Sequence, residues 1–190
     1  EKVAAHFAKG GNVLIFPEGT SHNEPHLLPT RSGAAHMLAL AHEQGTPGLT
    51  FQTVGLEFEG RDTFRSRALV IYGPVRDIDD FAKGPGPIAE RIKKALEEDL
   101  RSLLFATAAW EDRYLIARVA ELFANDEGDR TVTRFFEIAR RAVVAKSAAE
   151  KKGLDVALVA RATDYFRALD RARFSDEEVA GLPFARTAGG

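Results

Sequence analysis

The 190-residue sequence predicts an α/β fold, a sheet flanked by helices, followed by an all-helical carboxy-terminal annex. Three observations predict it. Short β-like runs alternate with helical ones from Glu1 to about Gly73, and helical periodicity then continues almost without strand signal from about Pro87 to Arg173. Between them stands Gly84-Pro85-Gly86-Pro87, where each proline removes a backbone donor and restrains the residue before it. The division that follows is residues 1–83 for the α/β part, 84–174 for the annex and 175–190 for a loosely ordered tail.

In chain order, Lys2 to Lys9 reads as the end of a helix closed by Gly10-Gly11. Asn12 to Phe16 reads as a strand without alternation, hence buried on both faces, and Pro17 stops it. Ser21 to Thr30 carries prolines and histidines without a period and reads as a loop. Thr30 or Ser32 can then cap a helix from Gly33 to Gln44, which Gly45 ends. Thr50 to Glu59 and Ser66 to Tyr72 are two further strands, making a β-α-β unit with a return strand. In the annex, Ile88, Ile92, Leu96, Leu100 and Leu103 recur on one helical face. Helices follow at about Trp110 to Ala124, Thr131 to Lys152 and Leu154 to Arg173, with turns at Asn125–Asp129 and Gly153.

Composition narrows the function. Lys plus Arg number 26 against 28 Asp plus Glu, a formal net charge of −2, which argues against a nucleic-acid partner held by bulk charge. Zero cysteines exclude disulfides, thiolate metal sites and cysteine nucleophiles, and fit a reducing compartment. Uninterrupted aliphatic or aromatic runs, such as Val13-Leu14-Ile15-Phe16, are far short of the roughly 18 to 20 residues that span a bilayer. The start at Glu1, inside a helical pattern, predicts a gene product that extends further in the amino direction.

Chemistry concentrates in Val13 to Gly33, where a strand ends in a carboxylate, a glycine and two hydroxyls. Strand ends of open α/β sheets are where ligands bind. Glu18 there can accept a hydrogen bond from a substrate hydroxyl, and Gly19 lets the backbone turn close to a ligand. Thr20, Ser21, His22 and Arg31 can donate to an anion, Arg31 with a fork suited to phosphate. The set suits a polyol phosphate. The blander readings are a turn carboxylate at Glu18, a solvated Arg31, and surface positions for His22 and His26. His36 and His42, six apart, are not spaced as a metal pair. The annex arginines read chiefly as a solvated helical face, with anionic lipid headgroups as the functional alternative. Leu103, Leu104 and Phe105 near Trp110 read chiefly as core, with an interfacial position where acyl chains are collected as the functional alternative.

Phe16-Pro17-Glu18-Gly19-Thr20 resembles the F-P-E-G-T block of the glycerolipid acyltransferases, the glycerol-3-phosphate and 1-acylglycerol-3-phosphate O-acyltransferases. Thr53-Val54-Gly55-Leu56 is similar to that family's V-P-V-G-L block, and Phe64-Arg65-Ser66-Arg67 leading to Tyr72-Gly73-Pro74-Val75 to its F-R-S strand. The likeness covers about residues 1–80. It implies transfer of a fatty acyl group from acyl-CoA or acyl carrier protein to a hydroxyl of glycerol 3-phosphate, dihydroxyacetone phosphate or 1-acylglycerol 3-phosphate. That is phospholipid biosynthesis by a cytoplasmic protein peripheral on the inner face of a membrane, with no cofactor, no metal and no nucleic acid. Two departures matter. The family's general base lies in an H-x-x-x-x-D block before F-P-E-G-T, and none of the five histidines has an aspartate five residues later, so no catalytic residue is assigned and the chain alone is expected to be almost inactive. The commoner block also continues T-R-S, whereas here Ser21-His22 follows Thr20, so His22 or Arg31 has to take the place of an arginine. The alternative is a non-catalytic phospholipid or glycerol-phosphate binding module. A hydrolase using Glu18 with Glu24 ranks last.

Overall fold

The computed structural model describes residues 2–151 and 156–180. They form a mixed α/β protein in two compact units, residues 1–104 and 105–190. The first contains α1 (Lys2–Phe7), α2 (Gly33–Glu43), the strands β1 (Thr50–Phe58) and β2 (Ala68–Asp77), α3 (Ile78–Ala82) and α4 (Ile88–Leu103). The second contains α5 (Trp110–Glu127), α6 (Val132–Lys151), α7 (Val156–Ala172) and α8 (Asp176–Ala180).

In the first unit, β1 and β2 make an antiparallel hairpin, with Leu56 opposite Val70 and Val54 opposite Tyr72. The ladder shifts register between Gln52 and Val54, and the extra residue of β2 falls at Gly73-Pro74, where a proline without an N–H is tolerated. One face carries Thr53, Gly55 and Glu57, all buried, and Gly55 and Gly73 both lie against Leu103 of α4. A side chain at Gly73 would meet Thr53, so only a bare backbone fits. The other face leaves Leu56, Phe58, Val70 and Tyr72 exposed. The core beneath joins Ala4, Ala35, Leu38, Ala41, Leu49, Ile78 and Ile92, with Phe51 and Phe81 packed on it. Asp99 of α4 is buried and takes both arms of Arg76 from β2, which satisfies a carboxylate that would otherwise be expensive to desolvate.

Several expectations change. Asn12–Phe16 is not a strand: it has no ladder partner among the described residues, and Leu14 and Phe16 are 80% and 69% exposed. An apolar run holds strand geometry only where neighbouring strands take its N–H and C=O groups. The sheet is therefore a two-stranded hairpin rather than a β-α-β unit. The second strand begins two residues late and runs to Asp77, leaving Phe64 to Arg67 in the connecting loop and at its end. Ser32 occupies the N-cap of α2 without a side-chain capping bond, and Thr30 points elsewhere. Gly84 to Pro87 is a tight connection between α3 and α4 inside the first unit, tied by Arg91 to the carbonyls of Phe81, Pro85 and Gly86. The break in the compact units lies after Leu104, because α4 packs on the hairpin.

In the second unit Phe136 is buried, set edge-on to Phe105 and Phe135. Leu103 and Phe105, each in its own unit, are core as expected. α5 ends at Gly128, whose φ of +73° is a conformation that favours glycine. Many annex arginines are paired rather than merely solvated: Arg118 with Asp170, Arg134 with Glu127 and Glu137, Arg167 with Asp164. Two short helices escaped the sequence reading. Asp77 caps α3 by accepting from Asp79 N–H, and a Ser175/Glu178 capping box opens α8 where a loose tail was expected. Gly153 and residues 181–190 lie outside the described residues. Among the described residues, no helix is long and apolar enough to cross a membrane.

Candidate functional site

The segment from Pro17 to Arg31 closes on itself, with Arg31 N–H donating to Pro17 O at 2.8 Å and Gly19 N–H to Phe16 O at 3.1 Å. Inside this loop, Glu18 is half-buried and its Oε2 accepts from Leu28 N–H at 2.8 Å and from the His22 ring at 2.6 Å. Glu24 N–H donates to His22 Nδ1 at 3.1 Å. A nitrogen that accepts cannot carry a proton, so the proton sits on Nε2 and is donated to Glu18. Both bonds fall on Oε2, leaving Oε1 as the oxygen able to take a further donor.

Gly19 has φ of +68°, and a Cβ built there would stand 2.5 Å from Arg31 Nε and 2.7 Å from Arg31 Cδ. The missing side chain is what lets Arg31 lie along the bend. A second guanidinium arrives from the β1–β2 loop: Arg61 Nη1 donates to His22 O at 2.6 Å and its head lies 5.9 Å from the Phe58 ring. That loop is held by Thr63 N–H and Ser66 Oγ–H, both on Gly60 O.

The returning limb of the segment is pinned from below. Thr30 is buried, and its hydroxyl donates to Glu97 Oε1 of α4 at 2.6 Å. This bond, followed by the charges of Lys93 and Arg101, holds the Glu97 carboxyl below its ordinary 4.5, outweighing the opposing effect of partial burial.

Of the residues expected at the site, Glu18, Gly19, His22 and Arg31 are brought together. His22 directs its N–H to Glu18 rather than outward, and with Nδ1 occupied it offers no free lone pair as a base. Thr20 donates weakly to the neighbouring Ser21 carbonyl at 3.4 Å, and Ser21 is exposed. His26 is exposed; His36 bonds Ser32 O within its helix, and His42 lies 3.2 Å from Asp79. Among the described residues no three His, Asp or Glu side chains form a metal cluster. Two surface depressions, one of about 420 Å³ beside His36, Leu40, Glu43 and Pro87 and one of about 90 Å³ beside Arg118 and Phe166, are not lined by Glu18. Arg61 and Glu97 were missed from the sequence, since each reaches the loop across 39 or 67 residues and no local pattern marks such a pair.

The chain is 28% identical over 189 residues to glycerol-3-phosphate O-acyltransferase 2 of Saccharomyces cerevisiae, covering 96% of this chain and 25% of that protein. It is 29% identical over 131 residues to glycerol-3-phosphate O-acyltransferase 1 of the same yeast, covering 64% and 17%. An uncharacterized acyltransferase of Schizosaccharomyces pombe is 23% identical over 192 residues, covering 97% and 28%. The chain thus spans between 17% and 28% of the length of these curated relatives. No family model and no solved structure matches it. Similarity to three acyltransferases, two over nearly the whole chain, together with Phe16-Pro17-Glu18-Gly19-Thr20 at the bend, supports a likeness to the acyltransferase family.

Proposed function

We propose that this chain is the acceptor-holding part of an acyltransferase that moves a fatty acyl group from a coenzyme A or acyl-carrier-protein thioester to a hydroxyl of glycerol 3-phosphate or a close relative. The observation that carries the reading is Glu18, fixed by Leu28 N–H and His22 with Oε1 left over, next to Arg31 on the side-chain-free Gly19. Oε1 accepts the acceptor's hydroxyl and orients it, while Arg31 takes its phosphate. The bond formed is an ester between that hydroxyl oxygen and the acyl carbon; the bond broken is the thioester, and the hydroxyl proton goes to a base. That base is not His22, whose ring nitrogens are both engaged. The α/β part, by the same reading, belongs to a larger glycerolipid-acyltransferase-like sheet, and the protein works peripherally at a membrane, facing the cytoplasm.

The test is acyl transfer from palmitoyl-CoA to glycerol 3-phosphate by the complete gene product, with Glu18→Gln beside the wild type. Loss of a charge-assisted hydrogen bond predicts a fall of about 10- to 100-fold in kcat/KM. Wild-type rates from Glu18→Gln remove Glu18 from the site. The second reading, a glycerol-phosphate binding module, is favoured by the engagement of both His22 ring nitrogens, which leaves the bend without a free imidazole base. It predicts glycerol 3-phosphate binding with no transfer even by the complete gene product.

A further inference from the structure

We propose that Arg61, carried by the β1–β2 loop, is a second anion-binding residue of the site and grips a phosphomonoester together with Arg31. The inference rests on the acceptor-holding reading above and names the side chain that completes it.

Three observations carry it. Arg31 lies on Gly19 and Arg61 on the His22 carbonyl, so two guanidiniums flank a bend of four residues. Neither is neutralised: among the described residues no carboxylate pairs with Arg31 or Arg61, whereas Arg67, Arg76 and Arg101 of the same unit each have one. Arg61 gives one arm to His22 O, which fixes the plane of the guanidinium and leaves its other donors for a ligand. Two exposed guanidiniums at one bend, neither paired with a carboxylate among the described residues, offer donors that a dianion can take from both.

The nearby negative charges are Glu18, Glu24 and Asp62. Glu18 accepts two hydrogen bonds, which spread its charge into the loop. This leaves the bend with a carboxylate for a hydroxyl and two guanidiniums for a phosphate. Such pairing fits a phosphomonoester better than a diester, because the monoester presents three terminal oxygens and nearly two charges at neutral pH.

The experiment is an NMR titration of the arginine Nε–Hε resonances of the chain with inorganic phosphate, glycerol 3-phosphate and glycerol. Further arms use vesicles of phosphatidylcholine alone or with phosphatidate, which separate a free phosphomonoester from a lipid headgroup. The expected result is that glycerol 3-phosphate or phosphatidate vesicles, but not glycerol or phosphatidylcholine, shift Arg31 and Arg61 together. Arg61→Ala and Arg31→Ala each weaken binding about tenfold or more, and Arg61→Lys recovers part of it, with the amide spectrum of the first unit otherwise preserved. Binding unchanged in Arg61→Ala but lost in Arg31→Ala overturns the role of Arg61 and leaves the acceptor site standing. Shifts confined to residues outside the Gly19–His22 bend overturn both.

Discussion

Replacing Gly19 by alanine separates two effects that the bend combines. The first is backbone strain: at φ of +68° an L-residue costs about 1–2 kcal/mol relative to glycine. The second is displacement: the new Cβ would stand 2.5 Å from Arg31 Nε, so the arginine has to leave the bend. Arg31 is exposed and its side chain is flexible, so moving it adds little to the loss of stability but removes the cation from its place. Gly33 supplies the control. It opens α2 at an ordinary φ with nothing within 4 Å of a built Cβ, so Gly33→Ala is expected to be neutral or stabilising by about 0.4–1 kcal/mol. Urea denaturation followed on amide resonances of the first unit reads the stability, and titration with glycerol 3-phosphate reads the anion. Gly19→Ala is expected to lose about 1–2 kcal/mol and to bind as weakly as Arg31→Ala. In the double variant the two losses of affinity do not add, because both act through one side chain. Gly19→Ala with wild-type stability refutes the strain argument, and wild-type affinity refutes the placement of Arg31.

Two further outcomes concern pH. Thr30→Val removes the hydroxyl that does most to hold the Glu97 carboxyl below its ordinary value, at a loss of about 1 kcal/mol near neutrality. Because the Glu97 carboxyl is depressed in the fold, its contribution is full above the ordinary 4.5 and fades as pH falls through the lowered value, so the gap between Thr30→Val and wild type should close in acid. An undiminished gap at low pH sinks that assignment. Tyr165 is pushed up to about 12, first by its partial burial and then by its bond to Asp176. Its stabilising effect is present below the ordinary 10 and is lost as pH rises toward 12; titration of tyrosinate absorbance should show this late phase in wild type and an earlier one in Asp176→Asn.

Elements whose signal is short-range were readable in the amino-acid order. The stripe of Ile88, Ile92, Leu100 and Leu103 named α4 and its buried face, and the stops at Gly45 and Gly128 follow from local backbone chemistry. Phe16 to Thr20, five contiguous residues, likewise carried the resemblance to the glycerolipid acyltransferases. The caps of α3 and α8 were equally local, as Asp77 and Ser175-x-x-Glu178, and were legible though overlooked.

Asn12–Phe16 shows where that legibility stops. Its apolar residues have the composition of a buried strand, but strand formation depends on neighbours distant in sequence, and none pairs with it among the described residues. The site behaves likewise. That Glu18 meets Leu28 N–H, that Arg31 rests on Gly19, that Arg61 reaches the His22 carbonyl and that Thr30 anchors on Glu97 are all matters of packing. Residue order alone supplied the donors and acceptors; folding chose their partners, because a hydrogen bond is decided at about 3 Å and the groups that satisfy it come from segments as far as 67 residues apart.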